Sequence, residues 1–132
     1  MKLSTRSRYG SRILVDLAKH QHLGPVQIGK ISQRQGVSVK YLEQLIRPLK
    51  KAGWVISVRG PKGGHMLAKE PEDITLGQIV RLFEVQTDLV ECVSSPESCR
   101  LSIDCKIRSA WKEAAQALYE KLDTTTIADL AG

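Results

Sequence analysis

The sequence is poor in aromatic residues and has no long apolar run. Of its 132 residues only 5% are Phe, Trp or Tyr, so the core is expected to be mainly aliphatic. No stretch approaches the roughly 18 uncharged apolar residues that a membrane span requires. The basic start at residues 1–6 leads into no apolar segment of a secretory signal. We therefore expect a cytoplasmic protein that has no membrane partner.

Cysteine is absent from the first 91 residues, and all three cysteines, Cys92, Cys99 and Cys105, fall within one stretch of 14 residues. In a reducing cytoplasm they are not expected to form structural disulfides. The chain has no CxxC pair, no glycine-rich nucleotide motif and no recognisable arrangement of nucleophile and base. These absences predict a protein that is not an enzyme.

Acidic residues are scarce in the N-terminal half. Residues 1–70 contain 14 Lys and Arg but only three acids, a net charge of +11, whereas residues 71–132 contain 6 Lys and Arg and 11 acids, a net charge of −5. The two halves sum to +6. A positive field confined to one half favours a polyanionic partner, and nucleic acid is the usual one.

Three amphipathic segments, residues 3–19, 26–35 and 39–52, predict helices in the basic half. The last two are separated by Gly36 and by Ser38, a good N-cap, and together they indicate a helix-turn-helix. Polar residues lie off the apolar stripe of the third helix and are of types that bind bases and phosphates. They are Lys40, Tyr41, Gln44 and Arg47.

A β-hairpin is predicted directly after this helix, with strands at residues 54–58 and 66–68. Its tip, residues 59–65, is rich in glycine and carries cationic side chains. A hairpin in this position is a wing, whose glycines allow close approach to phosphates and whose strand-end arginine can enter a minor groove. The candidate wing contacts are Arg59, Gly60, Lys62, Gly63, Gly64 and His65.

The C-terminal half is predicted to contain two more helices. Thr75 and Gln78 fit a capping box that opens the first of them. The second, at residues 103–122, carries an apolar stripe and would extend about 30 Å. It could pack on its own core or pair with a copy of itself, and two-fold symmetry favours the pair.

The cysteines have the spacing C-x₆-C-x₅-C, in a loop that leads into this long helix. Thiolates are the favoured ligands of iron–sulfur clusters and of zinc. The spacing alone does not choose between these two, and three unrelated free thiols are the third interpretation.

Several strings resemble the bacterial regulator family that includes IscR, NsrR and CymR. They are Tyr-Leu-Glu-Gln-Leu at residues 41–45, Ser-Val-Arg-Gly at 57–60 with the glycine pair at 63–64, and Thr-Thr-Ile-Ala-Asp-Leu at 125–130. The resemblance implies a homodimeric winged-helix transcription factor, often a repressor, that binds a palindromic operator. It also implies base contacts from Ser38, Tyr41, Glu43 and Gln44, with Arg59 in the minor groove.

The same resemblance implies an iron–sulfur cluster on Cys92, Cys99 and Cys105, with the 2Fe–2S type favoured over the 4Fe–4S type. Arg108 and Arg8 stand where family members that bind clusters supply a fourth ligand, so that ligand is unassigned. Its candidates are Glu91, Glu97, Asp104, a histidine or a small molecule. Pro48 and the C-terminal string resemble CymR instead, which implies an alternative: a cluster-free regulator of cysteine and sulfur metabolism that responds to a small molecule or a partner enzyme.

We therefore predict a mostly α protein with a small β-hairpin: a winged helix-turn-helix domain plus a long C-terminal dimerisation helix. Residues 1–70 would form the DNA-binding domain, and residues 71–132 the sensor and dimerisation region.

Overall fold

The computed structural model describes residues 2–132. Within this part of the chain the fold is mostly helical, with one antiparallel hairpin, as predicted. The elements in chain order are α1 (Thr5–His20), α2 (Ile28–Gln35), α3 (Val39–Lys51), β1 (Val55–Val58), β2 (Gly64–Leu67), α4 (Leu76–Phe83), α5 (Glu91–Ser94), α6 (Lys106–Thr124) and α7 (Ile127–Ala131).

The helix-turn-helix is formed by α2 and α3. The turn between them begins at Gly36, whose φ of 67° is left-handed and favours glycine. Ser38 then caps α3, which confirms its predicted role. The helix α2 starts at Ile28 rather than at the predicted residue 26, because the backbone of Val26 pairs with the hairpin instead.

The C-terminus of α3 is closed by Gly53, whose φ is 82°. The Gly53 N–H donates to the Lys50 carbonyl and the Trp54 N–H donates to the Leu49 carbonyl, both at 3.0 Å. This pair of bonds is a Schellman motif, which turns the chain directly into β1. Although Pro48 removes one backbone donor, α3 continues through Lys51.

The hairpin pairs Val55 with Leu67 at one end and Val58 with Gly64 at the other. The prediction of its second strand was wrong at the start, because β2 begins at Gly64 and includes His65. Both residues had been assigned to the tip. The difference arises because Gly64 and His65 pair with Val58 and Ser57 of β1, while the His65 backbone also forms an isolated bridge with Val26.

The C-terminal half folds back on α1. The predicted capping box of Thr75 and Gln78 opens α4, and Thr75 also pairs with Thr126, the cap of α7. The helix α6 starts at Lys106, three residues later than predicted, with Cys105 as its N-cap. No helix in residues 2–132 is long and apolar enough to cross a membrane.

One hydrophobic core joins the two halves of the sequence. Residues of α1 and α3 share it with residues that follow position 70. The later members are Ile74, Ile79, Phe83 and Ile127. The boundary predicted at residue 70 therefore does not separate two cores, although α6 lies outside the single core, with none of its residues buried.

Candidate DNA-binding surface and cysteine segment

The outer face of α3 carries most of the side chains predicted to contact DNA. The Ser38 hydroxyl accepts a hydrogen bond from the Tyr41 backbone N–H at 3.1 Å, which fixes the first turn. The apolar face of α3 is buried in the core, so its polar face points to solvent. The exposed residues on it are Lys40, Glu43, Gln44 and Arg47.

Tyr41 differs from these four because it is half-buried and packs against the core. Its ring meets that of Tyr9 on α1 edge to face, with 6.1 Å between centroids and 83° between planes. This geometry is favourable for aromatic pairs. The recognition helix is therefore braced by α1 at its first turn.

The wing exposes Arg59, Gly60 and Lys62. Its tip is closed by a hydrogen bond of 2.9 Å from the Gly63 N–H to the Gly60 carbonyl. Gly63 is buried, and a Cβ at this position would lie 2.2 Å from the Val58 carbonyl oxygen. Gly63 is thus required by the hairpin itself, whatever it contributes to DNA contact.

Gly64 and His65 lie under the wing and not at its tip. Gly64 has a φ of 154°, and a Cβ there would lie 2.4 Å from the Val26 carbonyl oxygen. The His65 ring lies 3.0 Å from the Ser57 hydroxyl. Burial lowers the pKa of His65 below its usual range, and Lys50 lowers it further while Glu43 opposes them. A neutral His65 is therefore the stable form at neutral pH.

A buried carboxylate joins α1 to α2. Asp16 is 3% exposed, and it accepts from Arg34 Nε and Nη2 at 2.9 and 2.6 Å and from Gln35 Nε2 at 3.0 Å. Burial alone would raise the pKa of Asp16, but the hydrogen bonds from Arg34 and Gln35, together with the charges of Arg34 and His20, outweigh it and lower the pKa. This group was not among the predicted residues. Its signal in the sequence is a lone acid between two apolar residues of α1.

The three cysteines lie on different parts of one irregular segment. Cys92 is in the short helix α5, Cys99 follows a 3₁₀ turn, and Cys105 caps α6. The Cys105 thiol accepts from the Arg108 N–H at 3.4 Å. Cys99 is exposed, and the other two are partly buried.

Arg108 fastens this segment to α6. Its Nε donates to the Cys92 carbonyl at 2.7 Å, and its Nη2 donates to the Val93 carbonyl at 3.2 Å. Both bonds use the fork of the guanidinium, which a lysine would not reproduce. The residue that replaces an expected cluster ligand thus has a structural role of its own.

In this conformation the thiols do not fit a cluster. Among residues 2–132 no group of three or more His, Cys, Asp or Glu side chains is placed to hold a metal ion. The candidate fourth ligands Glu91, Glu97 and Asp104 therefore form no such group with the cysteines. Thiolates remain the right chemistry for iron and sulfide, but a three-cysteine site would require the segment to rearrange.

Large apolar side chains are exposed along the start of α6 and the turn before it. Their exposed fractions are 66% for Leu101, 84% for Ile103, 69% for Ile107 and 46% for Trp111. Ile107 and Trp111 lie on the long helix predicted to pair with a second copy, and Leu101 and Ile103 lie in the turn before it. An apolar surface of this kind marks a protein–protein contact.

A helix-turn-helix followed at once by a hairpin, with exposed cations on both, is the architecture of a winged-helix DNA-binding regulator. The comparison with known families agrees: residues 3–132 match the family Rrf2, described as iron-dependent transcriptional regulators. The chain belongs to this family.

The chain is 51% identical over 130 residues to Protein rrf2 of Nitratidesulfovibrio vulgaris, covering 98% of this chain and 87% of that protein. It is 42% identical over 131 residues to the regulator CymR of Bacillus subtilis, covering 99% and 90%. It is 36% identical over 130 residues to the regulator IscR of Aliivibrio salmonicida, covering 98% and 77%.

Solved structures lead to the same family. The structure of CymR, the global cysteine regulator of B. subtilis, superposes with a TM-score of 0.83 at 40% identity, covering 99% of this chain and 96% of that chain. IscR of T. potens superposes with a TM-score of 0.79 at 41% identity, covering 98% and 85%. The chain is therefore a DNA-binding transcriptional regulator that acts as a dimer, and not an enzyme.

Proposed function

We propose that this regulator is a repressor whose dimer binds a palindromic operator, with α3 of each subunit in a major groove and each wing in the adjacent minor groove. The observation that carries the proposal is the Ser38-capped first turn of α3, which leaves Lys40, Glu43 and Gln44 exposed beside the wing. The N-terminal turns of a recognition helix are the part that reaches base edges. A dimer would present two such helices, which a palindromic site matches.

The charge distribution supports the same interface. The first 70 residues carry a net charge of +11 and the remaining 62 a net charge of −5. Neutralising phosphates is the dominant source of affinity for DNA. We therefore assign DNA binding to residues 1–70, and sensing and dimerisation to residues 71–132. The two regions share the single hydrophobic core.

The wing assignment is tested by replacing Arg59 and Lys62 separately with Ala. For the Arg59→Ala variant we expect operator affinity to fall about tenfold or more, since a minor-groove arginine contributes to specificity. For the Lys62→Ala variant we expect weaker binding and a smaller slope in a plot of log affinity against log salt. The slope should fall by about one, because one phosphate contact is lost. Fluorescence anisotropy on the promoter DNA upstream of its own gene measures both effects.

The matched control for these variants is Lys121→Ala, which removes an exposed cation from α6 in the acidic half. It should bind the operator as the wild type does. Unchanged affinity and salt dependence in both wing variants would show that the wing does not contact DNA.

We further propose that residues 92–105 are the sensor, and that an iron–sulfur cluster on Cys92, Cys99 and Cys105 is its first candidate ligand. The 2Fe–2S type is favoured over the 4Fe–4S type. Support comes from the three cysteines that fall within residues 92–105, just before α6, and from the iron-dependent description of the family. The segment would have to rearrange to bring the three thiols around one cluster. When bound, a cluster would supply sensitivity to iron, oxygen or redox state. The signal would act by shifting the dimer between states of different operator affinity.

A cluster-free sensor is the second candidate, in which a small molecule or a partner protein supplies the signal. The observation in its favour is that Arg108 donates to the Cys92 and Val93 carbonyls and so ties the cysteine segment to α6, which gives this arginine a structural role in place of a ligand's. The identity of 42% to CymR points the same way, as does its structure, described as that of the global cysteine regulator.

Iron and sulfide analysis of protein purified without oxygen decides between these candidates. A cluster predicts a brown protein with visible absorbance bands and stoichiometric iron and sulfide. A triple Cys→Ser variant, purified identically, serves as the control and should be colourless. A colourless, iron-free wild type that binds the operator with full affinity would refute the cluster.

A further inference from the structure

The side chain of Arg12 lies between Tyr9 of α1 and Gln35 of α2, and it was not among the predicted DNA contacts. Its guanidinium carbon lies 5.4 Å from the centre of the Tyr9 ring. That ring meets Tyr41 of α3 at 6.1 Å, and the Tyr41 backbone N–H is the one that Ser38 caps. Arg12 is therefore linked through the ring of Tyr9 to the turn of α3 that is proposed to enter the major groove.

A network of hydrogen bonds that ends at the buried carboxylate of Asp16 holds Arg12 in place. Its Nε donates to Gln35 Oε1 at 2.8 Å, and Gln35 Nε2 donates to Asp16 Oδ2 at 3.0 Å. Asp16 is fixed in turn by the two bonds from Arg34. The buried carboxylate thus orients Gln35, and Gln35 orients Arg12.

The charge of Arg12 is not neutralised within the described chain. The residue is exposed, and no carboxylate of residues 2–132 forms an ion pair with it. Since Nε is committed to Gln35, the two terminal nitrogens of the guanidinium are left to face a ligand. Such a fixed planar fork matches the oxygens of a phosphate.

We infer that Arg12 binds a backbone phosphate of the operator at the edge of the major groove that α3 enters, and that Gln35 and Asp16 are its positioning residues. This inference rests on the proposed mode of DNA binding and adds a contact from α1 to those of α3 and the wing. An arginine oriented before binding loses less side-chain freedom when the phosphate arrives.

The test is the variant Arg12→Gln, measured by anisotropy on the same promoter DNA over a series of salt concentrations. We expect affinity about tenfold lower at moderate salt, and a plot of log affinity against log salt whose slope is smaller by about one. Lys121→Gln, which removes an equal charge from α6, should leave both quantities unchanged. Arg12→Lys keeps the charge and should restore the slope but only part of the affinity.

Gln35→Leu tests the positioning role because it frees Arg12 without changing the charge of the protein. We expect a loss of affinity of a few-fold with the wild-type slope. An Arg12→Gln protein with a lower melting temperature but the wild-type slope would overturn the inference, because Arg12 would then only brace Tyr9. If Arg59→Ala weakens operator binding while Arg12→Gln does not, the inference about Arg12 is wrong and the proposed interface still stands. If neither variant changes operator binding, both the inference about Arg12 and the proposed interface are wrong.

Discussion

At the scale of the residue, a few side chains have positions that only their neighbours explain. Asp16 is the clearest of them, since an acid with 3% exposure would be unfavourable without partners. Arg34 and Gln35 supply those partners from the next helix. The ion pair is thus a link between α1 and the helix-turn-helix, and not an isolated surface contact.

Asp16→Asn is expected to lower the free energy of unfolding at pH 7 by about 2 kcal/mol, because charge-assisted hydrogen bonds are lost while Arg34 can still reach solvent. Partners lower the pKa of Asp16 in the folded state below its ordinary value of 3.8. The stabilisation is therefore present above about pH 4 and is lost as the pH falls through the lowered pKa. Urea unfolding at pH 7 and pH 3 should show the difference between variant and wild type shrinking in acid.

Glu72→Gln, at an exposed carboxylate, is the matched control and should change stability little at either pH. A difference between Asp16→Asn and the wild type that is the same at both pH values would contradict the ion-pair explanation.

At the scale of the element, local sequence signals predicted the caps that open α3 and α4 and the glycine that closes α3. Ser38, Thr75 and Gly53 act where their residue types predict, because a cap or a left-handed turn depends on a few adjacent residues. Two of the errors occurred where residues distant in the sequence pair through their backbones. Val26 left its predicted helix because its backbone pairs with that of His65, and Gly64 joined β2 because it pairs with Val58 across the hairpin.

Two further helix contacts were not predictable from local patterns. The Glu84 carboxylate accepts from the Ser4 N–H at 2.6 Å and from the Ser4 hydroxyl at 2.7 Å, which ties the end of α4 to the start of α1. Arg81 forms a paired salt bridge with Asp123 of α6, the shorter contact being 2.7 Å. These pairs are 80 and 42 residues apart in the sequence, so periodicity does not reveal them.

At the scale of the whole molecule, the contrast between the core and α6 defines how the protein assembles. The helices α1–α4 and α7 and the strand β1 contribute side chains to one core, whereas α6 has no buried residue and exposes Ile107 and Trp111. A helix of 19 residues with such a face gains stability by pairing with a copy of itself.

Trp111→Glu is expected to convert the dimer into a monomer at micromolar concentration, because it places a charge in the apolar contact. Multi-angle light scattering measures the mass, and operator affinity should fall in parallel as the two half-sites are no longer bound together. Gln116→Glu adds the same charge at an exposed position of α6 and should remain dimeric. A dimeric Trp111→Glu protein would place the interface elsewhere.

The sequence by itself determined the class of this protein. Scarcity of acids in the first half, the helix-turn-helix spacing and the glycine-rich wing are local features, and local features set charge, turn geometry and helix periodicity. The tertiary structure decided what depends on contacts between distant residues: the single core across residue 70, the inward position of His65, and the Asp16 network that orients Arg12. It also decided the state of the cysteine segment, because the Arg108 guanidinium and two backbone carbonyls meet only when α5 folds against α6.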